Sequence, residues 1–234
     1  MLEYQELADR VKAVRERMAG AAARAGRKPG DILLCAACKA QPGDKVRAAA
    51  HTDIDLFGEN RAQEMRDNLQ AGAYLDVPVH FIGNLQTNKV RQVVGRAALI
   101  HSVDRGRLLD AIAREAAAQG LVQDILIQVN LAGEQSKAGV APEDLRPLLE
   151  GAAGQEALRV RGLMAIPPQT DTQEEARPYF AMLRDLFEQA ISWRLTGQRW
   201  DTLSMGMSDS FEAAILEGAT LVRVGRHIFG DRPG

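Results

Sequence analysis

The chain has 234 residues, of which 46% are hydrophobic and 26% are charged, and its formal net charge at pH 7 is -2. This composition is typical of a globular protein with a sizeable core, and the balanced charge gives no general attraction to nucleic acid or to an anionic membrane. No apolar run approaches the roughly 20 residues that span a bilayer, and the amino terminus lacks a basic signal region, which predicts a cytoplasmic protein.

Apolar periodicity alternates between strand and helix along the whole chain. Residues 3 to about 25 predict an amphipathic helix, and eight short apolar runs, each followed by helical spacing, predict strands. The predicted strands cover residues 32–39, 54–58, 79–83, 99–102, 125–130, 160–164, 202–205 and 221–224. Between them, predicted helices cover residues 45–51, about 61–71, 85–94, 105–119 (capped by Asp104), a segment from 142, about 174–190 and 209–217.

Such alternation implies a parallel sheet, and eight units close it. We therefore predict an α/β fold, a single (β/α)₈ TIM barrel with an extra N-terminal helix. An open doubly wound sheet is the alternative. The sequence contains no interdomain linker or low-complexity tract, which predicts one domain over residues 1–234.

The first predicted strand is an apolar run that ends on a single lysine, Lys39. Alternation places Cys35, Ala37 and Lys39 on one face and Cys38 on the other, so that the two thiols cannot readily form a disulfide. The small side chains beneath Lys39 leave room for a ligand. A merely solvated lysine at the end of a strand is the alternative interpretation.

Polar residues at the carboxyl ends of barrel strands are expected to meet on one face. The residues predicted there are Lys39, Asn60, His80 or Asn84, Asn130, Met164, Ser204, Arg223 and Gly225. Residues 205–209 and 224–226, which follow the last two strands, carry the glycines and hydroxyls of a phosphate site, although ordinary turns use the same residues.

A lysine opposite such a phosphate site suits pyridoxal 5'-phosphate (PLP), because the aldehyde condenses with the amine while the phosphate is held across the barrel mouth. Alternation with Leu221 points Arg223 toward this site. A structural ion pair of Arg223 with Glu217 or Asp231 is the alternative.

Six motifs together resemble the pyridoxal phosphate homeostasis protein family, also called the proline synthetase co-transcribed homolog family. They are CK at 38–39, FGEN at 57–60, HFIGNLQTNK at 80–89, GLMAIP at 162–167, LSMGMS at 203–208 and RVG at 223–225. The resemblance extends from end to end and implies a barrel like the amino-terminal domain of alanine racemase, which is PLP fold type III without its C-terminal β domain.

The resemblance also implies roles for individual residues. Lys39 would carry PLP as a Schiff base, Arg223 would face the pyridine nitrogen and Asn60 would line the ring. Ser204, Gly225 and Arg226 would bind the phosphate, the last two mainly through backbone amides. Arg226 stands where the family pattern has a small hydroxyl residue, and Lys137 matches a loop lysine that could hold a second PLP or be a solvated charge.

The implied function is a PLP carrier that maintains vitamin B6 homeostasis as a monomer and supplies PLP-dependent apo-enzymes. No metal site and no catalytic residue is predicted, and turnover is left open. A PLP-dependent amino-acid racemase, a Schiff-base aldolase on a sugar phosphate and a binding module without covalent cofactor are the alternatives. Racemisation needs a second base, and Tyr4, Tyr74 and Tyr179 fall on helices or their flanks, away from the strand ends.

Overall fold

Within residues 2–133 and 138–230, which the computed structural model describes, eight parallel strands close into one barrel in chain order. The strands are β1 (Leu33–Ala37), β2 (Leu56–Glu59), β3 (Val79–Phe81), β4 (Leu99–Val103), β5 (Gln123–Val129), β6 (Leu158–Ala165), β7 (Gln198–Ser204) and β8 (Leu221–Val224). The predicted α/β barrel is confirmed, and the open sheet is excluded because β1 pairs with β8.

Helices surround this barrel in the order that the sequence predicts. They are α1 (Leu2–Arg24), α2 (Gly43–Ala49), α3 (Ala62–Gln70), α4 (Val90–Val93), α5 (Gly106–Ala118), α6 (Leu145–Ala153), α7 (Gln173–Ser192), α8 (Phe211–Leu216) and α9 (Arg226–Phe229). Short 3₁₀ turns cover Pro29–Asp31, Thr87–Lys89 and Pro142–Asp144. None of the helices in these ranges is long and apolar enough to cross a membrane.

Alternation along the strands divides the core into two layers. The outer layer, between strands and helices, contains fully buried aromatic rings such as Phe57 and Phe81, each of which contributes about 1.5–3 kcal/mol by burial. The interior of the barrel holds smaller clusters, one of which contains Cys35 and Leu221. Cys35 therefore lies inside and Cys38 outside, and both are free thiols, as predicted.

The additional helix α1 packs into the outer layer of the core. Leu7, Val11, Val14 and Met18 form its buried stripe, at spacings of four, three and four residues. The Arg17 guanidinium of α1 forms an ion pair with the Glu212 carboxylate of α8, with a nitrogen to oxygen distance of 2.8 Å.

The predicted cap of α5 is wrong, and the helices predicted from residues 85 and 209 begin later, at Val90 and Phe211. Asp104 does not cap α5, because the helix begins at Gly106 with Arg105 as its N-cap residue and no side-chain cap bond forms. Asp104 lies one residue too early for its carboxylate to take that position, and it pairs instead with the Arg105 guanidinium at 2.5 Å.

Candidate functional site

A cavity of about 300 Å³ opens at the carboxyl-terminal ends of the strands. Five of the six predicted ligand-binding residues line it, namely Lys39, Asn60, Arg223, Gly225 and Arg226. The remaining lining residues are Ala37, Gln41, Ile82, Ile166, Met207, Ser208, Asp209 and Gly230. This volume lies at the lower end of the range of small-molecule sites, about 300–1,000 Å³.

Lys39 reaches the cavity because of the strand that precedes it. Ala37 lies beneath it on the wall, and Cys35 is fully buried one pair of residues lower, so that only small side chains separate the amine from the barrel interior. The backbone turns sharply at Ala40, whose φ is 58°, and its amide donates to Glu64 Oε2 at 3.1 Å.

The outer face of the same strand end is fixed by a buried carboxylate. Glu59 Oε1 accepts hydrogen bonds from Tyr74 Oη at 2.6 Å, Asn68 Nδ2 at 2.9 Å and Cys38 Sγ at 3.2 Å. Burial raises the pKa of Glu59 and raises the pKa of the Cys38 thiol well above its ordinary value. Because Cys38 immediately precedes Lys39, these hydrogen bonds on the outer side of β1 hold the backbone from which Lys39 projects.

Arg223 forms part of the cavity floor and is 4% exposed. Its Nη2 donates to the carbonyl oxygen of Ala165 at 2.9 Å and its Nη1 donates to Ser204 Oγ at 2.5 Å. Burial lowers the pKa of Arg223 to about 10, so the guanidinium is still charged at neutral pH. Glu217, its predicted alternative partner, pairs with Arg177 and Arg184 instead, each at 2.7 Å.

A chain of buried hydrogen bonds continues from Arg223 across the barrel. Ser204 Oγ lies 3.0 Å from His101 Nδ1, and His101 Nε2 lies 3.0 Å from His80 Nδ1. Arg223 can only donate, so His101 Nδ1 is the partner to which we assign the serine hydroxyl proton, and this assignment leaves the His101 Nε2 proton to be donated to His80 Nδ1.

Both imidazoles in this chain are neutral. Burial lowers the pKa of His80 to about 4, with Arg161 adding in the same direction. Burial also holds the pKa of His101 well below its usual range, with further lowering by His80 and Arg223. Ser204 and His101 thus support Arg223 through hydrogen bonds, without adding a second buried charge beside it.

A hydroxyl and backbone amides form the wall of the cavity that follows β7 and β8, next to the end of β1. Ser208 Oγ accepts a hydrogen bond from the Gly225 amide at 3.2 Å, which joins the loop after β7 to the loop after β8. A side chain at Gly225 would bring a Cβ to 3.2 Å from the carbonyl oxygen of Ala37. Gly206 has a φ of 90°, and a Cβ there would lie 2.6 Å from Ala214 Cβ, so only glycine fits this turn.

The structure assigns different surroundings to several residues singled out in the sequence. Ser204 is fully buried beneath Arg223 and does not line the cavity, whereas Ser208, in the same motif, does. Likewise, His80 and Asn130 are not part of the cavity wall. Lys137 and Asp231 lie outside the described residues.

Two features of the site were missing from the sequence-based set. His101 was placed in a predicted strand but not in the site, although alternation with Leu99 would have pointed it inward. Asp209 was placed in the predicted phosphate loop and at the start of a helix but was given no contact of its own, and it forms an ion pair with Arg226 at the cavity edge. No local pattern predicts this pair, because its members lie on different loops.

The sequence matches the family described as "Alanine racemase, N-terminal domain" over residues 5–233. It is 43% identical over 224 residues to the pyridoxal phosphate homeostasis protein of Aquifex aeolicus, covering 96% of this chain and 97% of that protein.

Two solved structures have the same barrel. A Bifidobacterium adolescentis protein aligns with a TM-score of 0.92 and 32% identity, over 97% of this chain and 96% of that one. PipY of Synechococcus elongatus, solved with PLP bound, aligns with a TM-score of 0.84 and 33% identity, over 96% of this chain and 100% of that one.

Proposed function

The chain belongs to the family of pyridoxal phosphate homeostasis proteins, and from this premise we infer that it binds pyridoxal 5'-phosphate and maintains vitamin B6 homeostasis. The observation that carries this inference is a single cavity that unites a lysine amine, a buried guanidinium and a hydroxyl beside backbone amides. These groups fit an aldehyde, a pyridine nitrogen and a phosphate, in that order.

In this proposal Lys39 holds the cofactor as a Schiff base and Asn60 lines the ring. The phosphate is held by the Ser208 hydroxyl and by the backbone amides of Gly225 and Arg226, and it would replace Ser208 Oγ as the acceptor of the Gly225 amide. Ser204 was expected to bind the phosphate; because it is buried and accepts a hydrogen bond from Arg223, we propose that it positions the guanidinium instead.

When bound, PLP supplies an electrophilic aldehyde and a conjugated ring that can accept electrons. Arg223 limits the second property, since a guanidinium facing the pyridine nitrogen opposes its protonation. Its two hydrogen bonds to Ser204 and Ala165 hold the guanidinium in place.

The site favours a carrier over a racemase. Racemisation needs a base on each face of the substrate. Tyr4 and Tyr74 bond elsewhere, to the carbonyl of His51 and to Glu59, and Tyr179 lies on α7, so no tyrosine lines the cavity in residues 2–133 and 138–230. The aldolase alternative has no observation in its favour beyond the shared lysine.

The finer parts of the proposal concern the cell. We propose a single domain over residues 1–234 that acts as a cytoplasmic monomer and passes PLP to apo-enzymes. Two free cysteines are consistent with a reducing compartment. The cavity that half-buried Lys39 lines opens at the strand ends, which gives an acceptor access without unfolding of the barrel.

Visible absorbance of the purified protein tests the central claim. Incubation with PLP should give a Schiff-base band that disappears on borohydride reduction, and peptide mapping should place the reduced adduct on Lys39. The Lys39→Ala variant should lack the band, whereas Lys45→Ala, a nearby lysine whose amine bonds to the Phe229 carbonyl at 2.6 Å, should keep it. A protein that never forms the band would contradict PLP binding, and cleavage of a sugar phosphate would then favour the aldolase.

A further inference from the structure

An ion pair at the cavity edge has no role in the proposed binding of PLP by Lys39 and the backbone amides. The Arg226 guanidinium pairs with the Asp209 carboxylate across the two loops that bind phosphate in the proposed function. Each residue directly follows a phosphate-site residue, since Asp209 follows Ser208 and Arg226 follows Gly225. The pair therefore lies beside the expected phosphate position.

The same two side chains also line a second, larger space. A groove of about 730 Å³ runs along the loop after β6, and it shares Ile166, Met207, Asp209 and Arg226 with the cavity. The ion pair forms the boundary between the two spaces. A guanidinium at this boundary can turn toward either space without displacing a strand or a helix.

Because both side chains are exposed, Arg226 can leave Asp209 for another anion at little cost in stability. The side chains of Arg226 and Asp209 are 55% and 67% exposed, and ion pairs at such exposure contribute little to stability. Asp209 stays hydrated if it loses its partner, so that no buried charge is left behind. A phosphate monoester carries about -1.5 to -2 charges at pH 7 and accepts bidentate hydrogen bonds from arginine.

We propose that Asp209 and the phosphate of the ligand compete for the Arg226 guanidinium, so that this pair sets the affinity of the site for phosphorylated ligands. The inference rests on the proposed function and adds a residue, Asp209, that weakens binding.

The test compares PLP with pyridoxal, which offers the same aldehyde without the phosphate. Titration of the cofactor-free protein is followed by the Schiff-base band at constant ionic strength. We expect Arg226→Thr to raise the Kd for PLP about tenfold, as for loss of one charge-assisted hydrogen bond. We expect Asp209→Asn to lower it about two- to fivefold, and neither change to alter the Kd for pyridoxal.

Two controls separate the possible outcomes. Asp171→Asn removes a carboxylate that lines the groove but not the cavity, so it should leave the Kd for PLP unchanged. Calorimetry with inorganic phosphate should show tighter binding to Asp209→Asn than to the parent protein, independently of Schiff-base formation.

The competition is refuted if Asp209→Asn weakens PLP or inorganic phosphate binding, if it leaves both unchanged, or if pyridoxal responds as strongly as PLP. A missing band with both aldehydes would instead refute the proposed function, and the inorganic phosphate titration would still decide the competition.

Discussion

Acidification should destabilise this protein through the buried imidazole of His80. Its folded-state pKa is about 4 and its ordinary pKa is 6.5. Between these values the unfolded state binds more protons than the folded state, so the free energy of unfolding falls as the pH falls. The stabilising contribution is fully present above pH 6.5 and is lost progressively toward pH 4.

The size of the effect follows from the pKa difference. A gap of roughly 2.5 units corresponds to about 3 kcal/mol, of which about 2 kcal/mol is already lost at pH 5. Solvent screens this contribution little, since His80 is only 8% exposed. His101, fully buried with a lowered pKa, acts in the same direction.

Urea unfolding followed by circular dichroism at pH 7 and pH 5 measures the loss. Carboxylates also titrate in this range, and Glu59, whose pKa is raised, acts with the opposite sign, so the informative quantity is a difference between proteins. His80→Asn keeps an oxygen that can accept the His101 Nε2 proton, and it cannot titrate. Its loss of stability between pH 7 and pH 5 should be smaller by about 2 kcal/mol. Equal losses in the two proteins would refute the buried, neutral assignment of His80.

Three further changes test the site. Ser204→Ala removes the acceptor of a charged donor and should lower the free energy of unfolding by about 1.5–3 kcal/mol in urea; unchanged stability would show that Arg223 does not depend on Ser204. Gly206→Ala forces a Cβ into contact at a φ of 90° and should destabilise by at least about 1 kcal/mol, measured as a lower Tm against Gly20→Ala, where a Cβ meets nothing within 4 Å. Ser208→Ala should raise the Kd for PLP about fivefold but not that for pyridoxal, and an equal change for both would place the hydroxyl away from the phosphate.

Much of the fold could be predicted because local periodicity encodes it. The apolar runs that became β1 and β8 set which side chains face the barrel interior, and alternation alone pointed Lys39 and Arg223 to the same side. The count of eight strands predicted closure. Five of the six residues predicted to bind the ligand line one cavity for the same reason, since the carboxyl ends of parallel strands share one face.

Individual contacts depended on the tertiary structure. Ser204 and Ser208 occupy one motif and looked equivalent in the sequence, but only the closed barrel shows that the first lies under Arg223 and the second at the cavity wall. The hydrogen bond between His101 and Ser204 joins residues 103 positions apart.

The sequence by itself thus determined the kind of barrel, the lysine that lines the cavity and the direction of Arg223. Only the tertiary structure decided the imidazole chain, the support of Cys38 by Glu59 and the pairing of Asp209 with Arg226. The physical reason is that side-chain direction along a strand follows from local backbone geometry. The height at which residues of different strands meet follows instead from the stagger of the closed barrel, which no single segment specifies.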